Sequence, residues 1–253
     1  MAQPSTEPRS GTVQSVERVF ELLEIIADAG GEASLSDLAA TSELPMPTIH
    51  RLLRTCVLLG YARQLPSRRY ALGARLIPLG ERAGRQLGRV AQPKLVELVR
   101  QLGETANMAL MDGDQIVYVA QQPSPHAMRM FTEVGRRVQP HCTAVGKALL
   151  AATTDEEVRA LLQRTGLPRH TPHTVTDPDE FLAQLGRVRD SGYAMDEGEQ
   201  EVGVRCIAVK VPESTLPLAI SVSGPAPRMT DDLVADAFPV LRAAAASFAA
   251  DLA

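Results

Sequence analysis

The run SLSDLAATSELPMPTIHRLLRTCVLL at Ser34–Leu59, followed by GYARQLPSRRYALG, constrains this chain more than any other part of it. Two short helical patterns meet across a segment holding Pro45 and Pro47, and a small basic hairpin pattern follows them. Upstream, Val16, Val19, Leu22, Leu23 and Ile26 recur at helical spacing and predict a first helix of about Val13–Ala29, stopped by Gly30-Gly31. Ser34 is placed to cap the next helix with Asp37 in the capping-box position, while Leu35, Leu38 and Ala39 turn inward. Proline is tolerated in the first turn of a helix, where its missing N–H has no partner anyway, so Pro47 opens a third helix. Its predicted apolar side is Ile49, Leu52, Leu53, Val57 and Leu58; the opposite side holds Thr48, His50, Arg51, Arg54 and Thr55. Base edges and phosphates are mostly acceptors. A helix with one greasy side and one donor-rich side, followed by a basic wing, is the pattern of a winged helix-turn-helix.

Charge supports this locally and hides it globally. The whole chain carries −4 at pH 7, which alone argues against nucleic acid. Residues 45–89, however, hold nine arginines against the single acid Glu81, a net +8, while residues 90–253 sum to −6. A basic stripe at one end of an acidic protein is the electrostatic footprint of a DNA-binding domain. Arg51, Arg54, Arg63, Arg68 and Arg69 fall on the predicted helix and wing and are the expected phosphate contacts.

At 253 residues and 45% hydrophobic content the chain is large enough for two packed domains. The Pro/Ser/Thr-rich residues 1–12 are expected to be a disordered tail. No run of eighteen apolar residues and no cationic, apolar leader is present, so a cytoplasmic protein without a membrane partner is expected. The cysteines at 56, 142 and 206 are odd in number and far apart, which fits a reducing compartment. No CxxC or HExxH spacing occurs, and neither a metal site nor a cofactor is predicted.

Residues 13–73 are assigned to the DNA-binding domain, 74–89 to a linker helix with Leu76, Leu79, Ala83 and Leu87 on one side, and 90–253 to a second domain. In that domain Gln92–Gly103 reads as a helix, and Asn107–Met111 and Gln115–Ala120 as strands joined by Asp112-Gly113-Asp114. Ala127–Thr132 is a further expected strand. Helices follow at Thr143–Ala151, Asp155–Thr165 and Asp179–Ser191, strands at Val204–Val211 and Leu218–Ser223, and a closing helix at Thr230–Asp251. The fold class is therefore α+β: an N-terminal winged helix-turn-helix and a C-terminal domain of antiparallel sheet and helices.

Four pieces of the second domain offer ligand chemistry. The segment His141-Cys142-Thr143-Ala144-Val145-Gly146-Lys147 leads into a helix N-terminus, where unpaired amides face outward. Asp196 follows the strand-like Tyr193-Ala194-Met195, and Cys206 lies on the next strand. Ser221 and Ser223 are two apart on the last strand and share a face. Amide donors, two hydroxyls, a thiol and one carboxylate suit a small polar acid better than a greasy aromatic one. Each residue also has a structural reading: Cys206 as a small buried hydrophobe, the serines as partners of sheet backbone, Asp196 as a turn cap, Lys147 as a structural or surface charge, His141 as a packed side chain.

The stretch VQSVERVFELLEIIADAGGEASLSDLAATSELPMPTIHRLLRTCVLLGYARQLPSRRYALGARLIPLG resembles the DNA-binding domain of the IclR family of bacterial transcriptional regulators. HCTAVGKALLA and SGYAMDEGEQEVGVRCIAVKV…LPLAISVSGP resemble that family's effector domain, and the order and spacing hold from about Val13 to the C-terminus. The resemblance implies a GAF-like effector domain, a linker that contributes to dimer contacts, a homodimer or dimer of dimers on double-stranded operator DNA, and repression relieved by a small-molecule effector. Pro47 stands where the family usually has Ser or Thr, which shifts the phosphate contact to Thr48.

Within the family, GETANMAL, MRMFTEVGRRVQPH, TGLPRHTPHTVTD, the spacing of Asp196 to Cys206 and SVSGP resemble the glyoxylate-sensing repressors of allantoin utilisation. That likeness implies an effector held by the backbone amides of Ala144 and Val145, by Asp196 and Cys206, and by Ser221 and Ser223. Ala144-Val145 replaces a Gly-Ala pair, so Val145 narrows the pocket. Glyoxylate, allantoate or allantoin are the implied ligands, with a different small organic acid from another catabolic pathway as the alternative. A remoter alternative makes the domain an enzyme with Cys206 as nucleophile and His141 as its base. A thiolate needs an adjacent base or cation, which the sequence does not place there, so no catalysis is expected.

Overall fold

The computed structural model describes residues 13–130 and 132–252, with the side chains at 81, 83–87, 251 and 252 left out. The expected tail at residues 1–12 lies outside the described residues. The chain divides into two compact units, Met1–Ala83 and Gly84–Ala253.

In the first unit α1 (Gln14–Asp28), α2 (Leu35–Ser42) and α3 (Met46–Leu59) pack around Leu22, Ile26, Leu38, Ile49 and Leu53, all fully buried. Each such side chain contributes roughly 1.5–3 kcal/mol relative to its exposed state. Ser34 and Asp37 form a reciprocal capping box that opens α2, as the sequence predicts. Between α2 and α3 the chain turns through Glu43 in the left-handed region (φ 55°) and Pro45, and Pro47 occupies the first turn of α3. A three-stranded sheet of β1 (Glu32–Ala33), β2 (Ala62–Gln64) and β3 (Tyr70–Leu72) completes the unit, with β3 central and the β2–β3 hairpin as the wing.

One detail of α3 departs from the expected face. Val57 and Leu58 are exposed, Leu58 at 85%, and Cys56 is buried in their place. At 100° per residue, position 58 falls diametrically opposite Ile49, so the greasy stripe ends at Cys56 and Leu58 joins the arginine face.

The expected linker helix and the helix at Gln92–Gly103 are one element, α4 (Leu76–Leu102), which runs through Pro93. Proline there removes a single helical hydrogen bond, and burial of Ala91, Leu95, Leu98 and Val99 on the same helix outweighs that loss.

The second unit is built on a six-stranded antiparallel sheet in the order β6-β5-β4-β9-β8-β7. The strands are β4 (Thr105–Asp112), β5 (Gln115–Gln122), β6 (Arg137–Val138), β7 (Ala194–Glu197), β8 (Val204–Lys210) and β9 (Leu218–Pro225). The strand expected at Ala127–Thr132 does not form over its described residues. Its Met128 and Met130 carbonyls accept from the Arg228 and Thr105 side chains instead of from a neighbouring strand.

Alternation along β8 and β9 sorts side chains by size. Ile207, Val209, Val211, Leu218, Ile220 and Val222 face α8 (Asp231–Leu252) and the C-terminal part of α4. Cys206, Ala208, Ala219, Ser221 and Ser223 face the other way, where α5 (Ala144–Leu150) packs close. α6 (Asp155–Thr165) and α7 (Pro178–Ser191) cover that side with Val158, Phe181 and Leu185. By length and mean hydropathy α8 is apolar enough to cross a membrane; one side of it, with Ala237, Leu241 and Phe248, is fully buried in the core, while most of its residues are not buried.

Candidate functional site

The small residues on the inner face of β8 and β9 are what leave room for a cavity. In the sheet register Asp196 of β7 pairs with Cys206 of β8, and Cys206 with Ser223 of β9. Three polar side chains 27 residues apart in sequence thus form one row across three strands, with Ser221 one step along on the same face. Together with Ala144 and Val145 at the start of α5 they border a small, partly open cavity of about 20 Å³, rimmed further by Tyr118, Met130, Gln200 and Val204. That space holds about one water.

The row is held from behind by named contacts. Asn107 donates from Nδ2 to Ser223 Oγ at 3.1 Å and is itself fixed by Gln121 at 3.0 Å. Thr143 caps α5 by accepting the Gly146 N–H, while the amides of Ala144 and Val145 precede the first intrahelical bond. Gly146 admits no side chain: a Cβ there would lie 2.2 Å from the Pro140 carbonyl oxygen.

Asp196 is 3% exposed, and its Oδ1 accepts the Glu199 N–H at 2.7 Å. Burial pushes its carboxyl up to about 7, against the opposing pull of that hydrogen bond and of the Lys147 charge. Burial, then the neighbouring Asp196 charge, also raises the Cys206 thiol far above its ordinary value, and burial keeps the Tyr118 phenol protonated. A thiol so held is no nucleophile at neutral pH. His141, the base of the enzyme reading, is instead bonded through Nε2 to the Pro168 carbonyl at 3.1 Å.

Lys147 is fully buried and pairs with Glu199 at 2.5 Å, with Gln184 also donating to the same Glu199 oxygen at 3.3 Å. No motif signals this ion pair, since the partners lie 52 positions apart. It anchors the turn from Asp196 to Gln200 to α5, and both ends of that turn border the cavity.

In the first unit, His50, Arg51 and Arg54 are exposed and Thr48 half-buried along α3, while Arg63 and Arg68 are exposed on the wing. The wing tip closes through Arg68 in the left-handed region (φ 63°), with Arg68 N–H donating to the Leu65 carbonyl. Arg69 differs from the other arginines. It ion-pairs with Glu32 at 3.1 Å, lies 3.6 Å from Asp37 and donates to the Glu32 carbonyl, so it ties the wing to β1 and α2 rather than reaching outward.

A donor-rich helix and basic wing in one unit and a small cavity lined by a polar row in the other define a DNA-binding regulator with a small-molecule effector domain. Residues 15–66 match the IclR helix-turn-helix domain and residues 83–250 the C-terminal domain of the bacterial transcriptional regulator IclR. The chain belongs to the IclR family of bacterial transcriptional regulators. It is 37% identical to the transcriptional repressor IclR of Escherichia coli over 239 residues, covering 92% of this chain and 87% of that one. It is 34% identical to the transcriptional repressor AllR of Salmonella typhi, covering 87% and 82%. An IclR homologue from Microbacterium hydrocarbonoxydans complexed with 4-hydroxybenzoate superposes with a TM-score of 0.79 at 26% identity, covering 94% and 98%. The repressors of allantoin utilisation are thus one of several groups of similar relatives, and these relatives are named as regulators rather than enzymes.

Proposed function

We propose that this regulator represses transcription from an operator it releases on binding a small polar carboxylate in the Asp196–Cys206–Ser223 cavity. The observation that carries this reading is the register row that gathers Asp196, Cys206 and Ser223, with Ser221 and the Ala144 and Val145 amides, around one small space. The amides and the Ser221 and Ser223 hydroxyls bind the ligand carboxylate, and protonated Asp196 donates to it. The polar groups suit a two- or three-carbon oxo acid such as glyoxylate better than the larger allantoate and allantoin, and even glyoxylate enters only with an outward shift of the Val145 or Met130 rim.

On DNA, Arg51 and Arg54 of α3, flanked by Thr48 and His50, read and grip the major groove, with Arg63 and Arg68 of the wing on the phosphates. The protein acts as a homodimer, or a dimer of dimers, on a pseudo-palindromic operator with half-sites about one helical turn apart. A coupling of ~1–3 kcal/mol between effector and DNA is enough for a 5- to 150-fold response.

The test is an anisotropy titration of the purified chain on its upstream intergenic DNA at fixed salt, with and without glyoxylate, pyruvate or allantoate. A several-fold weakening with one of them supports the reading. Tight binding that no small acid alters refutes the effector assignment, and no specific binding refutes the operator assignment.

A further inference from the structure

Beside the cavity, a second cluster faces the loop between α6 and α7. His141 and Cys142 lie on the short 3-10 turn Pro140–Cys142, and His170 lies in the loop; one nitrogen of each imidazole and the thiol sulfur fall within 4.8 Å of one another. His141 and Cys142 are buried and His170 is exposed, so the cluster is closed within the protein and open towards solvent. We propose that His141, Cys142 and His170 bind a divalent cation of the zinc type, with the Gln200 side-chain oxygen or a water as fourth ligand.

Three observations support a built site. First, His141 Nε2 donates to the Pro168 carbonyl at 3.1 Å, which leaves Nδ1 as the lone-pair nitrogen. Metal-bound histidines generally fix their second nitrogen on a carbonyl or carboxylate in this way. Second, the loop carrying His170 is anchored directly after that residue. Thr171 Oγ1 donates to the Gly198 carbonyl and Thr174 Oγ1 to that of Glu199, both at 2.7 Å, and the His170 N–H donates to Thr174 Oγ1. Third, the Gln200 Oε1 lies 2.8 Å from Cys142 Sγ, placing an oxygen donor beside the three ligands.

The donor set decides the cation. Two imidazoles and a thiolate select a borderline-soft ion and are poor partners for magnesium or calcium. Tetrahedral ligands at about 2.0–2.3 Å from zinc stand roughly 3.3–3.8 Å apart. Closing from 4.8 Å therefore takes a movement of about 1 Å, which rotation of the exposed His170 ring supplies. On binding, the Cys142 S–H bond breaks, its proton leaves to solvent, and a sulfur–metal bond forms. Cys142 then no longer donates to Gln200, which also borders the effector cavity, so occupancy of the cation site changes the cavity wall.

The test uses the full chain stripped with chelator and titrated with Co²⁺ as a spectroscopic probe, with Zn²⁺ competition and Mg²⁺ as control. The expected result is one Co²⁺ per chain with a sulfur-to-cobalt charge-transfer band, displaced by Zn²⁺ and untouched by Mg²⁺. Cys142→Ser abolishes the band although Cys56 and Cys206 remain, and His170→Ala weakens binding by tenfold or more. His170 is exposed, so circular dichroism of His170→Ala should match the parent. Absence of saturable binding, or binding indifferent to either substitution, overturns the site. Failure of glyoxylate to act on DNA leaves this test unaffected, because the cation ligands do not depend on the effector's identity.

Discussion

If the Asp196 cavity is the effector site proposed above, protonation of Asp196 gives effector binding a defined pH dependence. Its carboxyl titrates near 7 rather than 3.8 because burial disfavours the ionised form more than the Lys147 charge and the Glu199 N–H favour it; Glu199 adds repulsion. A small oxo acid is ionised throughout the neutral range, so it meets a hydrogen-bond donor below pH 7 and a second anion above it. With binding restricted to the protonated form, Kd scales with 1 + 10^(pH−7), rising about tenfold between roughly pH 6 and pH 8, or ~1.4 kcal/mol. At about pH 7 each ligand bound takes up roughly half a proton. Asp196→Asn keeps a donor and an acceptor without the titration and should flatten the profile. Calorimetry of glyoxylate, or of whichever small carboxylate shifts the DNA titration, in buffers of different ionisation enthalpy measures both quantities. A wild-type Kd constant over that range, or an equal slope in Asp196→Asn, would refute the protonated-acid mechanism.

The same shift predicts stability. The folded state holds the Asp196 proton more tightly than the unfolded chain, so its contribution is present below about pH 4 and is lost as pH rises to 7. Relative to Asp196→Asn the second unit should lose up to about 4 kcal/mol across that window in urea titrations. Arg51→Ala and Arg54→Ala should each weaken operator binding and reduce the salt slope by about 0.9, leaving effector affinity intact. Arg69→Ala should leave that slope unchanged and lower the thermal stability of the first unit, because its partners are Glu32 and Asp37. Lys147→Met strands the buried Glu199 carboxylate and should cost ~3–5 kcal/mol, largely recovered when Glu199→Leu is added, as denaturant midpoints will show. Gly146→Ala drives a methyl into the Pro140 carbonyl and should yield little folded protein.

How much of this was legible in the sequence depended on range. The winged helix-turn-helix rests on contacts within one or two turns: the Ser34–Asp37 box, Pro47 in a first turn, Ile49 and Leu53 a turn apart. Those signals are local, and they read correctly except at Val57 and Leu58, apolar residues that lie exposed, and at Arg69, which pairs with Glu32 and Asp37. The linker helix and the helix at Gln92–Gly103 read as two elements in the sequence, and they are one. In the second unit the gathered residues of the cavity follow from strand register, which two-residue spacing reveals within β9 but not between β7, β8 and β9; resemblance implies the set of residues and not their pairing. The Lys147–Glu199 pair had no legible signal, because a buried charge is recognisable only once its partner is placed.

The geometry also divides the cavity into a part that sets chemistry and a part that sets size. Asp196, Cys206 and Ser223 sit on paired strands, so moving one of them requires a register change that would turn every core residue of its strand outward. Met130 and Val145 border the space from outside the sheet, and each can change volume without disturbing the ladder. An IclR homologue complexed with 4-hydroxybenzoate shares this chain's fold, and a ring of that size exceeds the space present here. Retaining the polar row while resizing the rim is therefore the physically cheapest route from one carboxylate effector to another. On that argument Val145→Gly together with Met130→Ala should admit an aromatic acid while glyoxylate affinity falls, because the same polar groups would then face a cavity in which water competes with a small ligand. If the doubly resized protein bound neither acid, with its fold intact by circular dichroism, size would not be what the rim controls.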